Sequence, residues 1–221
     1  MNPQELPVFH SQPGKLTLSE QASLPAQELP VCRPWRDVSK EEALELMQAG
    51  KGLLLVGSPG TGKTHWLRNA IASLRQAGKR VEIVAKTHAA VKNIGCEAKT
   101  ADHWVRKHVR AGGVHCHTLV VEELTQVNVQ LWSDLSLCRF KGVSFVCAGD
   151  FGQFPPICEH WSGCAVPEGA LERSDMLFEM CGGHRLTLTE NMRSDARLFE
   201  ATLTLEKPWR RRWPRPGPCS R

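Results

Sequence analysis

The sequence predicts an α/β fold of three layers, with a mainly parallel central sheet and helices on both faces. Two observations carry that prediction. Short apolar runs recur at Leu53–Val56, Val81–Ala85, Thr118–Val121 and Val143–Ala148, separated by stretches whose apolar residues follow helical spacing. Residues 57 to 64 read Gly57-Ser58-Pro59-Gly60-Thr61-Gly62-Lys63-Thr64, a G-x-x-x-x-G-K-T phosphate-binding loop set between the first apolar run and the helical stretch that follows. Strands that alternate with helices need crossover connections, which a parallel sheet supplies.

Residues 1–36 carry six prolines up to Pro34 and little periodicity, and are expected to be a disordered or extended lead-in. Asp37 or Ser39 can cap a helix through Lys40–Met47, ended by Gly50. The first strand and phosphate loop follow. Leu67, Ala70, Ile71 and Leu74 then mark one face of a helix that closes at Gly78. Val81–Ala85 is a second strand, and residues 87–94 open a second crossover helix, closed by Gly95. Residues 100–110 read as a further helix, Thr118–Val121 as a third strand ending in Glu122-Glu123, and 127–137 as a helix. The fourth strand, Val143–Ala148, runs into Gly149-Asp150, and Leu186–Leu188 is a short late strand. The globular domain is expected over 37–205. Residues 206–221, rich in proline and arginine, read as a disordered tail, or alternatively as a basic arm with stacking tryptophans.

Bulk properties set few limits. The 221 residues are 41% hydrophobic and 23% charged, with formal net charge +5, much of it in the tail. That excess permits a polyanionic partner without requiring one. No apolar run approaches the roughly 18 residues that span a bilayer, so no membrane partner is expected. The N-terminus lacks the basic start and apolar stretch of a secretory signal. An intracellular location, nuclear or cytoplasmic, is expected, with the nine scattered cysteines reduced.

The chemistry follows from the loop. Its glycines let backbone N–H groups curl around phosphate oxygens, and the helix start adds a favourable dipole end. Residues Gly57, Ser58, Pro59, Gly60, Thr61, Gly62, Lys63 and Thr64 are therefore the expected ATP contacts. Lys63 reaches the β- and γ-phosphates and Thr64 holds Mg²⁺. Hydrolysis also needs carboxylates at a neighbouring strand end. Val120-Val121-Glu122-Glu123 supplies them, with Glu122 on the Mg²⁺ side and Glu123 as general base. Alternatively, the two form a surface pair. The segment Gly149-Asp150-Phe151-Gly152-Gln153-Phe154-Pro155-Pro156 is rigid enough to hold Gln153 toward a γ-phosphate, or is an ordinary proline-rich turn.

Taken in order along residues 51 to about 197, these segments resemble superfamily 1 DNA helicases, nearest to the RecD/Dda-like branch that moves 5′ to 3′ on single strands. Gly57–Thr64 matches motif I, and Gly149–Pro156 matches motif III. Glu122-Glu123 falls where motif II has Asp-Glu. Thr87-His88-Ala89-Ala90 resembles motif Ia, Thr100-Ala101-Asp102-His103-Trp104 the T-x-H-S-F segment, and Leu188–Ser194 motif IV. The resemblance implies a RecA-like first lobe that couples ATP hydrolysis to strand translocation or unwinding. It further implies that Gln153 senses the γ-phosphate and Arg193 acts on it as a finger. Thr87, His88, Thr100 and His103 would line a groove for single-stranded nucleic acid, with DNA favoured over RNA. Trp104 would stack a base or fill the core.

Three departures accompany the match. Glu122 stands for the usual aspartate, and one extra methylene moves the carboxylate by about 1.5 Å, a strain on the octahedral Mg²⁺ shell. The family's adenine-reading glutamine is missing, since aligning Val38–Glu42 with L-S-x-E-Q puts Glu42 there. The sequence ends soon after motif IV, before the family's second RecA-like lobe. The polypeptide, expected to be monomeric, is thus expected to hydrolyse ATP weakly and not to unwind by itself. Three readings stay open beside this one: a generic phosphate-loop ATPase or kinase, a non-catalytic remnant that binds nucleotide or nucleic acid, and a zinc site at His115, Cys116 and His117 or at Cys158, His160 and Cys164 with Cys181 and His184 later.

Overall fold

Near-continuous runs of Leu, Val and Ile can be buried on two faces at once, and a sheet covered on both sides is where such strands settle. The computed structural model describes residues 33–153, 160–161, 164–166 and 169–192. Seven strands form one sheet: β1 (Arg36–Asp37), β2 (Leu53–Gly57), β3 (Val81–Ala85), β4 (Lys99–Thr100), β5 (Thr118–Glu122), β6 (Ser144–Gly149) and β9 (His184–Leu188). Their order is β1-β9-β2-β6-β5-β3-β4, and every neighbouring pair is parallel. A separate antiparallel pair joins β7 (His160–Trp161) to β8 (Cys164–Ala165).

Register sorts the side chains by parity. Leu53 and Leu55 of β2, Val120 of β5 and Val146 and Ala148 of β6 join one buried cluster. It is covered by α1 (Lys40–Gln48), α2 (Lys63–Gln76) and α3 (His88–Ile94) through Met47, Leu67, Ile71 and Ile94. Leu54, Leu119, Val121, Phe145 and Cys147 belong to the other. That face is covered by α4 (Ala101–Trp104), the π-helical stretch Val105–Val109, α5 (Val129–Ser136) and α6 (Asp175–Met180) through Trp104, Trp132, Leu135 and Leu177. The result is the three-layer, RecA-like arrangement expected from sequence.

Local chemistry starts the helices. Ser39, Thr87, Asn128 and Ser174 each accept a backbone N–H three residues on, capping α1, α3, α5 and α6. Several features are new relative to the sequence reading. Trp35 and Arg36, assigned to the lead-in, belong to the fold: Trp35 packs on Phe178 with ring centroids 5.0 Å apart, and Arg36 pairs with His184. The helix expected over 100–110 is a single α-turn that widens into a π-helix. Trp104 is 1% exposed, so it fills the core. Residues 1–32, 154–159 and the tail lie outside the described residues.

Parallel strands point their C-terminal ends the same way. β2, β6, β5 and β3 therefore deliver Gly57, Gly149, Glu122 and Ala85 to one rim of the sheet, where α/β proteins of this kind bind ligands.

Candidate nucleotide and nucleic-acid site

The phosphate loop leaves β2 at Gly57, a residue with no room for a side chain. A Cβ there would lie 2.6 Å from both the Leu188 carbonyl oxygen and Thr61 Oγ1. Gly60 and Gly62 sit at φ +87° and +81°, in the left-handed region that a curled loop requires. Buried Thr61 ties the curl by donating to the Ser58 carbonyl at 2.8 Å. Helix α2 starts directly at Lys63, and Gly62 before it offers no capping side chain. Unlike the four capped helices, α2 has no capping side chain seated on its first turn, the place where a helix start binds an anion.

Lys63 folds its ammonium onto the carbonyls of Gly57 and Ser58, the latter at 3.0 Å. Beside it, Thr64 Oγ1 donates to Glu122 Oε1 at 3.1 Å. This contact joins the loop to the end of β5 across 58 residues of sequence. Glu122 is 7% exposed, and its second oxygen, Oε2, has no hydrogen-bond partner among the described residues. Burial, then the neighbouring Glu123 charge, push its carboxyl up to about 7. The Thr64 bond and the Lys63 and Arg68 charges pull the other way. A hydroxyl and a buried carboxylate oxygen without a partner are hard oxygen donors suited to Mg²⁺. The residues present thus fit that ion and have the charge to gain from it.

Glu123 adopts φ +52°, in the left-handed region that a glutamate rarely enters. The twist separates it from Glu122: Glu123 Oε2 accepts a hydrogen bond from Thr87 Oγ1 at 3.3 Å. Thr87 is also the cap of α3, so one hydroxyl serves the helix and the carboxylate together. β6 lies between β2 and β5, and Gly149 at its end packs on Leu124, with room for no Cβ. Asp150 next in the chain is 6% exposed. Its Oδ1 accepts the Gly152 N–H at 2.8 Å, while Oδ2 has no partner among the described residues. Gln153 stands in the same turn, its N–H donating to the Asp150 carbonyl at 3.2 Å.

The four residues assigned to nucleic acid gather along the β3–β4 side of the rim. Thr87 and His88 follow β3, Thr100 of β4 pairs with Ala85, and His103 lies in the turn after it. Thr87, His88 and His103 are exposed and Thr100 half-buried. Lys86 spans them with an ion pair to Asp102 at 2.8 Å. Arg193 lies outside the described residues. Among the described residues, no three His, Cys, Asp or Glu side chains gather as a zinc site would require, and His117 Nδ1 accepts the Arg80 N–H at 2.8 Å.

On the opposite, β9 side of the loop lies a cavity of about 170 Å³ lined by Lys40, Thr61, His65, Trp66, Glu190 and Met192, among others. Met192 donates its N–H to the Gly60 carbonyl at 2.9 Å, and a Cβ on Gly62 would meet its Cγ at 3.3 Å. Lys40 and Glu190 form an ion pair at 3.6 Å. Glu42 is absent from the lining; its carboxylate is bound by Arg36. Lys40 and Glu190 escaped the sequence reading, because a pair 150 residues apart leaves no local pattern. In the sequence Asp150 stands out only as an acid within its motif.

Similarities to known proteins follow the same residues. The sequence family described as AAA domain matches residues 39–161. The ATP-dependent DNA helicase PIF1 of Homo sapiens is 27% identical over 153 residues, which are 58% of this chain and 24% of the human protein. The Mus musculus PIF1 is 25% identical over 206 residues, 81% of this chain and 31% of the mouse protein. A crystal structure of Pif1 helicase from Candida albicans superposes with TM-score 0.59 at 26% identity, covering 76% of this chain and 44% of that one. The chain spans less than a third of the length of the two mammalian relatives.

Proposed function

The chain belongs to the AAA domain family, and from that premise we propose that its RecA-like lobe binds ATP with Mg²⁺ and hydrolyses it while engaging single-stranded nucleic acid, in the manner of a Pif1-like helicase. The observation that carries this reading is the Thr64–Glu122 hydrogen bond, which brings the phosphate loop and the acidic strand end to one point.

Each residue then has a task. The N–H groups of Gly60 to Thr64 cradle the β- and γ-phosphates. Lys63 leaves the Gly57 and Ser58 carbonyls to neutralise them. Thr64 and Glu122 would hold Mg²⁺, which when bound offsets the charge on the phosphate oxygens. Glu123 takes the proton of the attacking water as its oxygen bonds to the γ-phosphorus. The bond to the bridging oxygen breaks, and its electron pair leaves with ADP. Gln153, beside the end of β6, is the residue suited to sense the γ-phosphate. The Thr87 hydroxyl links the strand-binding side of the rim to the base at Glu123. The names of the PIF1 relatives, ATP-dependent DNA helicases, support DNA as the polymer. Translocation needs two lobes that close and reopen, and the described residues form one. The expected outcome for this lobe is nucleic-acid-stimulated hydrolysis.

The test is Mg·ATP hydrolysis by the full chain, with and without single-stranded DNA, beside Lys63→Ala and Glu123→Gln. Lys63→Ala is expected to abolish tight ATP binding. Glu123→Gln is expected to keep binding and lower turnover by about 10²–10⁴-fold, the usual worth of a general base. A wild-type chain that ignores Mg·ATP, or turnover indifferent to both substitutions, overturns the proposal.

A further inference from the structure

The sheet order gives a bound triphosphate a direction. The acids Glu122 and Glu123 end β5, and Gln153 follows β6, both on one side of the loop strand β2, whereas β9 lies on the other. A γ-phosphate facing β5 and β6 leaves the nucleoside on the β9 side, in the cavity beside Trp66, Glu190 and Met192.

Among the described residues, that cavity has no rigid, buried side chain to read a base edge: no Asn or Gln is in its lining, and Glu42, at the aligned position of a base-reading glutamine, is held by Arg36. The charged groups there are Lys40 and Glu190, whose side chains are 48% and 77% exposed. Lys40 can donate to any ring nitrogen or carbonyl, and Glu190 can accept from any exocyclic amine or ring N–H. Strong discrimination arises when a wrong ligand leaves a buried polar group unpaired. Here water satisfies either head group when the base does not. Trp66 and Met192 add apolar contact that every base can use.

We infer that the site takes nucleoside triphosphates as a class, with little regard to the base. The inference rests on the nucleotide reading above and concerns the same site. Mismatched bases lose only solvent-exposed contacts, so the affinities for ATP, GTP, CTP and UTP lie within about tenfold of one another, or about 1.4 kcal/mol.

The experiment is competitive displacement of a ribose-labelled fluorescent ATP from the full chain by each of the four Mg·nucleotides, with thermal melting to verify folding. Four displacement constants within tenfold support the inference. ATP displacing the probe while any other nucleotide needs more than tenfold higher concentration overturns it and leaves ATP binding standing. A folded chain that does not bind the labelled ATP at all overturns the nucleotide reading and this inference with it. As a second arm, Lys40→Ala with Glu190→Ala is expected to change the four constants by the same factor within threefold. A selective loss for one base identifies the pair as a true reader and refutes indifference.

Discussion

Glu122 carries one methylene more than the aspartate that its motif leads one to expect, and the fold accommodates it by hydrogen-bonding Oε1 to Thr64 and burying Oε2. The accommodation has an electrostatic cost. A rise from 4.5 to about 7 corresponds to roughly 3 kcal/mol at about 1.4 kcal/mol per unit. The sign follows from linkage: the folded chain holds this proton more tightly than the unfolded one, so the metal-free fold loses stability as pH rises from about 4.5 to 7 and stays lowered above. Glu122→Gln removes the buried charge. In metal-free buffer it should raise unfolding free energy by about 1–3 kcal/mol at pH 8 and by almost nothing at pH 4; urea titrations at both values decide it. Equal stabilisation at the two pH values excludes this account. The identity of the two acids was legible in the sequence because each strand end has its place in the motif. The roles expected of them came from the same motif; the left-handed turn at Glu123 that parts the two side chains did not, because glutamate carries no signal for that conformation.

Among the elements, those with local chemistry were readable. The phosphate loop and α2 follow from glycine, lysine and threonine at fixed spacing, and α1 from a serine ahead of an apolar face. Elements made by their neighbours were not. β1 and β4 are two residues long and exist because β9 and β3 offer unpaired edges. The π-helix after Trp104 shifts the hydrogen-bond ladder by one residue, a change that composition does not record. Two substitutions separate support from function at this level. Ser39→Ala removes the cap of α1 and is expected to cost about 1 kcal/mol of stability, with hydrolysis retained. Gly57→Ala pushes a methyl against the Leu188 carbonyl and Thr61. It is expected to cost about 1–3 kcal/mol and to displace the loop, so ATP affinity falls at least tenfold. Calorimetry and nucleotide titration of both variants compare these outcomes directly.

For the molecule as a whole, stability resides in the two sheet faces and not in the charged rim. Phe145, fully buried on β6, and Phe140, 89% exposed, make the contrast. Phe145→Ala is expected to cost about 3–5 kcal/mol and Phe140→Ser within about 0.5 kcal/mol, measured by denaturant unfolding. The three-layer architecture was legible because unbroken apolar strands admit no other burial, whereas the base-side cavity joins α1 to the end of β9 and emerges only after folding. The same junction has a mechanical side. The Met192 N–H holds the Gly60 carbonyl, so a pull on the polypeptide beyond residue 192 acts at once on the donors that would grip phosphate. Tension there would loosen the grip, and an occupied loop would in turn stiffen its anchor, making nucleotide affinity a gauge of load.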